Sequence, residues 1–263
     1  MLEMVTAVRF DRRMTSGRTN PCLLSCINYR NEDVEVIAKF SGGCDRGEVS
    51  LITEAITAML GIDLGLPIPA PFLVAVDQDF IDIINDEIIQ QQINRSIHIG
   101  FGSKKLPNGY SNWIMSEDIP TNIRQEAANI IAFDGIVQNP DRRPENTNCL
   151  SNGKNLAIFD HDLAFIIEGI IGWRPPWNVG SLDNLINAQN HIFFNKIRGK
   201  PVNFEGFRES WSEITDERLQ DYLRALPTEW LSDLNTPNSI LSYISDVRDH
   251  IDKILVEVER LLS

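Results

Sequence analysis

The chain has 263 residues, room for one large domain or two packed lobes, and 43% of them are hydrophobic, the ordinary share for a protein with a buried core. Its net charge of −13 argues against nucleic acid as a partner, because an acidic surface repels a phosphate backbone. No run approaches about 18 uncharged apolar residues, so no membrane span is expected, and the charged N-terminal segment MLEMVTAVRFDRRM lacks the apolar core of a secretory leader, which makes the cytoplasm the expected location.

The first part of the chain reads as strands. VTAVRF and CLLSCI flank the turn-rich residues 14–21, the pattern of a hairpin with a long loop. In DVEVIAKF, Val34, Val36, Ala38 and Phe40 alternate with Glu35, Ile37 and Lys39, the period of a strand. From Glu48 to Leu60 the apolar positions Leu51, Ile52, Ala55, Ile56, Met59 and Leu60 form a helical stripe, closed by Gly61 and Gly65. PAPFLVAV reads as a buried strand, residues 79–94 as one short helix, and SIHIGFGS as a strand running into a Gly/Pro linker at 104–109. Beyond residue 120 helices dominate. Asn122 is expected to cap a helix with Ile123, Ala127, Ile130, Ile131 and Val137 inside, and a long amphipathic segment carries Ile240, Ile244, Val247, Ile251, Ile254, Leu255, Val258 and Leu262 on one face. A strand-rich part of roughly 100 residues followed by a helix-rich part is the order of an α+β two-lobed protein.

Cys22, Cys26, Cys44 and Cys149 match no zinc framework, and a cytosol would keep them reduced; no second Cys/His pair accompanies Cys22 and Cys26 to hold a metal. His98, His191 and His250 are scattered and suggest no metal site, and His161 reads as a packing or hydrogen-bonding residue. GWRPPW, with Trp173 and Trp177, reads equally as a substrate-facing loop or as a rigid aromatic staple.

The chemistry is concentrated in NPDRRPENTNCL, residues 139–150, followed by NLAIFDHDLAF, residues 155–165. A helix is expected to end near Gln138, a polar loop follows, and LAIF reads as a buried strand that delivers Asp160 at its end. Phosphoryl transfer needs a carboxylate beside the acceptor hydroxyl and oxygen ligands for a metal on the phosphates. Asp141 can accept the proton or orient the hydroxyl, Asn146 offers an amide oxygen, and Asp160 offers a hard carboxylate of the type magnesium prefers. The Asp-x4-Asn spacing is that of the protein-kinase catalytic loop. Taken alone, residues 141–146 read as a turn rich in Asx caps and Asp160-His161-Asp162 as an exposed bend. The upstream order shifts the balance: Lys39 stands in VIAK, close to the kinase V-A-I-K strand, and Glu54 on the following helix is placed to pair with it.

These stretches resemble the HipA-type serine/threonine kinases and, more distantly, the phosphoinositide kinases, which carry an N-x-D-R-x-x-x-N catalytic loop followed by an Asp that opens a D-x-x-L-A-F-like segment. GEVSLITEAITAMLGIDLGLPIP looks like the first-lobe helix of that family, and the resemblance spans roughly residues 30–170. It implies a protein-kinase-like two-lobed fold, with a small strand-rich N-lobe over 1–103 and a larger helical C-lobe over 104–263. It further implies ATP as phosphate donor, Asp141 as the catalytic Asp, Asn146 and Asp160 as Mg2+ ligands, Lys39 on the α- and β-phosphates and Glu54 as its partner. Arg143 stands where many relatives have histidine and is expected to hold the loop in the same way. The G-x-G-x-x-G phosphate loop is absent, so residues 14–21, with Ser16, Gly17, Arg18 and Thr19, would have to cover the phosphates; phosphorylation in this loop silences relatives, and self-modification at Ser16 or a neighbouring Thr is expected. Gly100-Phe-Gly102 is expected to join the lobes and to offer backbone to adenine. Full-length HipA-type toxins carry a further N-terminal subdomain, and this chain is expected to be a minimal version.

The leading expectation is a cytoplasmic kinase acting on Ser/Thr of a protein substrate, in a toxin-like or regulatory role with a cognate antitoxin or other regulatory partner. A small-molecule or lipid acceptor is the alternative within the enzyme class, with lipid disfavoured by the lack of a basic membrane-facing patch. A pseudokinase acting as a binding module is the third reading, and the intact Lys39, Asp141, Asn146 and Asp160 set counts against it.

Overall fold

The computed structural model describes residues 2–15, 17–167 and 171–263. It is mixed α and β, strand-rich in its N-terminal part and helical in its C-terminal part. The chain divides into two compact units. One comprises Met1–Met59, Pro69–Pro107 and Gln220–Pro237; the other comprises Leu60–Ile68, Asn108–Leu219 and Asn238–Ser263.

The first unit is built on β1 (Glu3–Arg13), β2 (Cys22–Ile27), β3 (Asp33–Lys39), the main part of α1 (Glu48–Asp63), β4 (Pro71–Ala75), α2 (Gln78–Asp82), α3 (Glu87–Asn94) and β5 (Ile99–Lys104). Five strands close into a barrel in the order β1-β2-β3-β5-β4. All neighbours are antiparallel except β1 and β4, which run parallel from Glu3↔Phe72 to Thr6↔Ala75. Period-two alternation sends Val5, Leu24, Cys26, Val36, Ala38 and Val74 into the barrel core. Burying an aliphatic side chain of this size contributes about 1.5–3 kcal/mol. Burial pushes the Cys22 and Cys26 thiols up to about 12, so both stay protonated and serve as packing groups.

The second unit holds β6 (Ser111–Asn112), α4 (Arg124–Ile136), β7 (Cys149–Ser151), β8 (Leu156–Ile158), α5 (Phe194–Ile197), α6 (Glu205–Ser212), the first turn of α7 (Asp216–Ala225, whose remainder belongs to the first unit), most of α8 (Asn235–Asp249) and α9 (Ile251–Leu262). The three short strands form one antiparallel sheet. In α4 every residue from Ile130 to Ile136 is buried, the signature of a helix surrounded by protein.

Two local expectations are corrected and a third is refined. Residues 79–94 are two helices, because Asp77 and Asp86 each cap a separate start: the Asp77 carboxylate accepts from the Phe80 amide at 2.8 Å, and that of Asp86 accepts from the Ile88 and Ile89 amides at 3.1 and 3.2 Å. Asn122 does not cap α4; it lies in a 3-10 turn, Thr121–Ile123, and its amide reaches the Lys154 carbonyl instead. The C-terminal amphipathic segment breaks at His250 into α8 and α9, although every apolar residue expected on its inner face is buried.

Candidate active site

In the first unit Lys39 closes β3. Alternation places it opposite the barrel-core residue Ala38, and Glu54 of α1 meets it there: Lys39 Nζ donates to Glu54 Oε2 at 2.9 Å, with the side chains 11% and 3% exposed. Charges this far from water need a partner to offset their desolvation, so the pair is a built feature and not a surface coincidence.

Residues 14–21 form the β1–β2 connection, closed where the Met14 amide donates to the Pro21 carbonyl at 2.8 Å. Gly17 sits at φ +105°, and a Cβ there would meet the Pro21 ring at 2.9 Å, so the turn requires glycine. Arg18 pairs with Asp45, and Thr19 is buried, its carbonyl accepting from Gln92 at 3.1 Å. Ser16 lies outside the described residues.

Gly100 and Gly102 are placed differently from expectation. Both lie inside β5, whose residues pair with β3 on one side and β4 on the other: Gly102 faces Ala38 and Phe72, and Gly100 faces Val74. Gly102 is paired on both sides and Gly100 with β4 alone, so both lie within the sheet of the first unit and not in a linker. The residues are glycines for space: a Cβ on Gly100 would stand 2.6 Å from the Lys39 carbonyl, and one on Gly102 would stand 2.6 Å from Val74 Cγ2.

In the second unit the loop after α4 carries the expected pair. Asn146 Nδ2 donates to Asp141 Oδ2 at 2.7 Å, and Asn148 Nδ2 donates to the same oxygen at 3.2 Å. Arg143 and Asn146 form a two-bond backbone bridge (3.1 and 3.0 Å), and Arg143 Nε stands 3.5 Å from Asp141 Oδ1 while its side chain stays half exposed. Arg143 thus closes the turn through its main chain and adds a positive charge beside the Asp141 carboxylate. Beyond β8, Asp160 sits at φ +62°, a left-handed conformation that Asp tolerates better than most residues. A carboxylate oxygen of Asp160 lies within 4.8 Å of one of Asp162, a pair of hard donors suited to a divalent cation.

Sequence reasoning missed the buried network beneath this loop. Arg142 is fully buried; its Nε donates to Asp134 Oδ2 at 2.5 Å and its Nη2 to Asp134 Oδ1 at 3.2 Å. Asn139 and His191 also donate to the Asp134 carboxylate, at 2.8 and 3.2 Å. Arg142 Nη1 reaches the Asn148 carbonyl at 2.5 Å, and Nη2 meets His161 Nε2 at 2.8 Å. Arginine cannot accept, so His161 Nε2 is the acceptor. Burial alone would raise Asp134, but the Arg142 guanidinium and the His191 hydrogen bond outweigh it and hold the carboxyl well below its usual range. Burial pushes His191 down against the pull of Asp134, and its Nδ1 accepts from the Phe193 amide at 3.2 Å, as a neutral ring can. The sequence signal was an aspartate inside the apolar run IIAFDGIV, which must find a buried cation; His191 carried no signal.

The aromatic segment is anchored. Trp173 Nε1 donates to Gln138 Oε1 at 3.1 Å, and Trp177 stacks on His250 with ring centroids 4.4 Å apart. Ile171 and Val179, either side of these rings, are exposed.

A family model described as HipA-like kinase matches residues 7–259. A Helicobacter pylori proinflammatory kinase, CtkA, superposes with a TM-score of 0.54 at 12% identity over 98% of each chain, a likeness of fold. A Leishmania major MAP kinase, LmaMPK10, gives a TM-score of 0.26 at 12% identity over 97% of this chain and 86% of its own, too low to bear on the fold. No curated protein matches the sequence. The chain belongs to the HipA-like kinase family and is a phosphotransferase. Membership implies ATP and a divalent metal in general terms. Among the described residues, no helix is long and apolar enough to cross a membrane.

Proposed function

We propose that the chain transfers the γ-phosphoryl group of ATP, with magnesium, to a serine or threonine hydroxyl of a protein, within a protein-kinase-like fold whose strand-rich part is the small lobe and whose helical part is the large lobe. The observation that carries this reading is the Asp141 carboxylate, held in place by two amide donors in a turn closed by the Arg143–Asn146 bridge. A carboxylate fixed in this way can orient an acceptor hydroxyl and take its proton, while the amide oxygen of Asn146 and the carboxylate of Asp160 supply ligands of the kind magnesium takes. Bound Mg-ATP would supply the phosphoryl group and neutralise its charge. Lys39, fixed by Glu54, would contact the α- and β-phosphates, and Gly17 and Arg18 would lie over the phosphates. An acidic chain favours neither nucleic acid nor an anionic membrane, so a protein acceptor and a regulatory protein partner of antitoxin type, in the cytoplasm, are the partners proposed.

The test is magnesium-dependent transfer of labelled phosphate from ATP to a peptide library by the purified chain, against Asp141→Asn. Loss of general-base and positioning help should lower the rate by about 10²- to 10⁴-fold with the fold intact. Activity of Asp141→Asn within about tenfold of wild type would overturn the assignment.

A further inference from the structure

We propose that Arg142 is the positioning residue of this centre: its guanidinium ties the loop bearing Asp141 to the turn bearing Asp160 and fixes the spacing of the two. The inference rests on the reading of Asp141 and Asp160 just given. The guanidinium makes four contacts on three separate pieces of the second unit. Two go to Asp134 of α4, one to the carbonyl of Asn148 before β7, and one to His161 after β8. Each end of the last two leads to the centre. Asn148, held by its carbonyl, gives its amide to Asp141 Oδ2 at 3.2 Å. His161, held by Nε2, stands between Asp160 and Asp162 in the chain. Arg142 itself follows Asp141, and its carbonyl accepts from the Ile192 amide at 3.1 Å. Asp134 is in turn held by Asn139 and His191, which fixes the carboxylate that the guanidinium meets.

An ion pair serving the core alone would need only Asp134. The planar fork of arginine spans all three partners, which the compact charge of lysine cannot do. Groups that orient metal-bearing side chains without touching the metal typically govern affinity or activity by about 10- to 100-fold.

The experiment uses the full chain and measures phosphoryl transfer against magnesium concentration at fixed ATP, the KM for ATP at saturating magnesium, and thermal unfolding. Arg142→Lys and His161→Leu are each expected to raise the half-saturating magnesium concentration by about tenfold or more, with kcat falling and KM for ATP changing less. His161→Gln keeps an acceptor for the Arg142 N–H and is expected to bring the magnesium midpoint back to within about threefold of wild type. The double variant Arg142→Lys/His161→Leu should be no worse than the poorer single, because both break one connection. A magnesium midpoint that stays put in Arg142→Lys while Tm and total activity fall would overturn the proposal and leave Arg142 as a core ion pair. If Arg142→Lys does not fold, the His161 series decides, and an unmoved midpoint in His161→Leu overturns it equally. Asp141→Asn is run in parallel. If it stays active, the reading of the centre fails and takes this inference with it; if it is inactive and the midpoints are unmoved, only the positioning role falls.

Discussion

Lys39 Nζ and Glu54 Oε2 lie 2.9 Å apart with both side chains almost wholly withdrawn from water. Replacing one member leaves the other charge buried beside a neutral group, at a cost of about 3–5 kcal/mol when the site is this dry. Lys39→Met should therefore lower both stability and activity, with a raised KM for ATP, and Glu54→Gln should do the same more mildly. Urea unfolding and initial rates on the two singles and the double check it. A double variant no worse than Lys39→Met shows one coupled unit, whereas strictly additive losses would separate the two residues.

Gly100→Ala tests why the strand carries glycine. The new methyl would stand 2.6 Å from the Lys39 carbonyl and 2.8 Å from the Phe40 ring, and the carbonyl is backbone within a closed barrel. Overpacking of this kind costs about 1–3 kcal/mol. The expected result is a lower Tm with KM for ATP unchanged in the fraction that remains folded. A raised KM at unaltered Tm would instead support a nucleotide contact for this segment.

The elements were legible where one period ran uninterrupted. Strand β3 and helix α1 follow from alternation and an i, i+3, i+4 stripe, and those two patterns bring Lys39 to Glu54. The breaks were not legible where capping decided them: Asp77 and Asp86 split one apolar stretch into two helices, and His250 interrupts a continuous apolar face. Asp141, Asn146 and Asp160 of the proposed centre stand out in the sequence because their spacing is short-range. Arg142 was hidden by its neighbours, since nothing local distinguishes it from Arg143, yet the first is fully buried and the second half exposed. The difference comes from Asp134 and His191, which the fold brings together across 57 residues. The place of Gly100 and Gly102 inside β5 was not legible either, because a glycine that spares space and a glycine that exposes backbone look alike in a sequence.

Asp160 has φ +62°, and the choice of substitution there decides what is measured. Asparagine visits this region readily, whereas alanine incurs about 1–2 kcal/mol of steric strain. Asp160→Asn should unfold at the wild-type temperature and Asp160→Ala a few degrees lower, while both lose activity by about 10²-fold or more through the missing carboxylate. Differential scanning fluorimetry with a magnesium titration distinguishes the two effects. Full activity in Asp160→Asn would remove the residue from the proposed metal site.

The buried network predicts how stability responds to acid. His191 is pushed below 6.5 by burial, so in the folded chain it stays neutral at pH values where the unfolded chain takes up a proton. The unfolded state then binds more protons, and stability falls as pH drops below 6.5, with a slope of at most about 1.4 kcal/mol per pH unit from this one group. Asp134 works in the same direction but lower. Its carboxyl is held below the ordinary 3.8, so its contribution is complete above that value and is lost only as pH falls through the depressed folded value. Between pH 7.5 and 5 the response of this pair is therefore that of His191 alone. His191→Gln can still donate to Asp134 and accept from the Phe193 amide, but it cannot titrate. The variant should be less stable at pH 7.5 by about 1–3 kcal/mol, because an amide fits the imidazole site imperfectly, and its stability should fall less steeply toward pH 5. Urea denaturation at pH 7.5, 6.5, 5.75 and 5 measures both slopes; parallel lines for wild type and variant would show that the buried histidine is not the group that titrates.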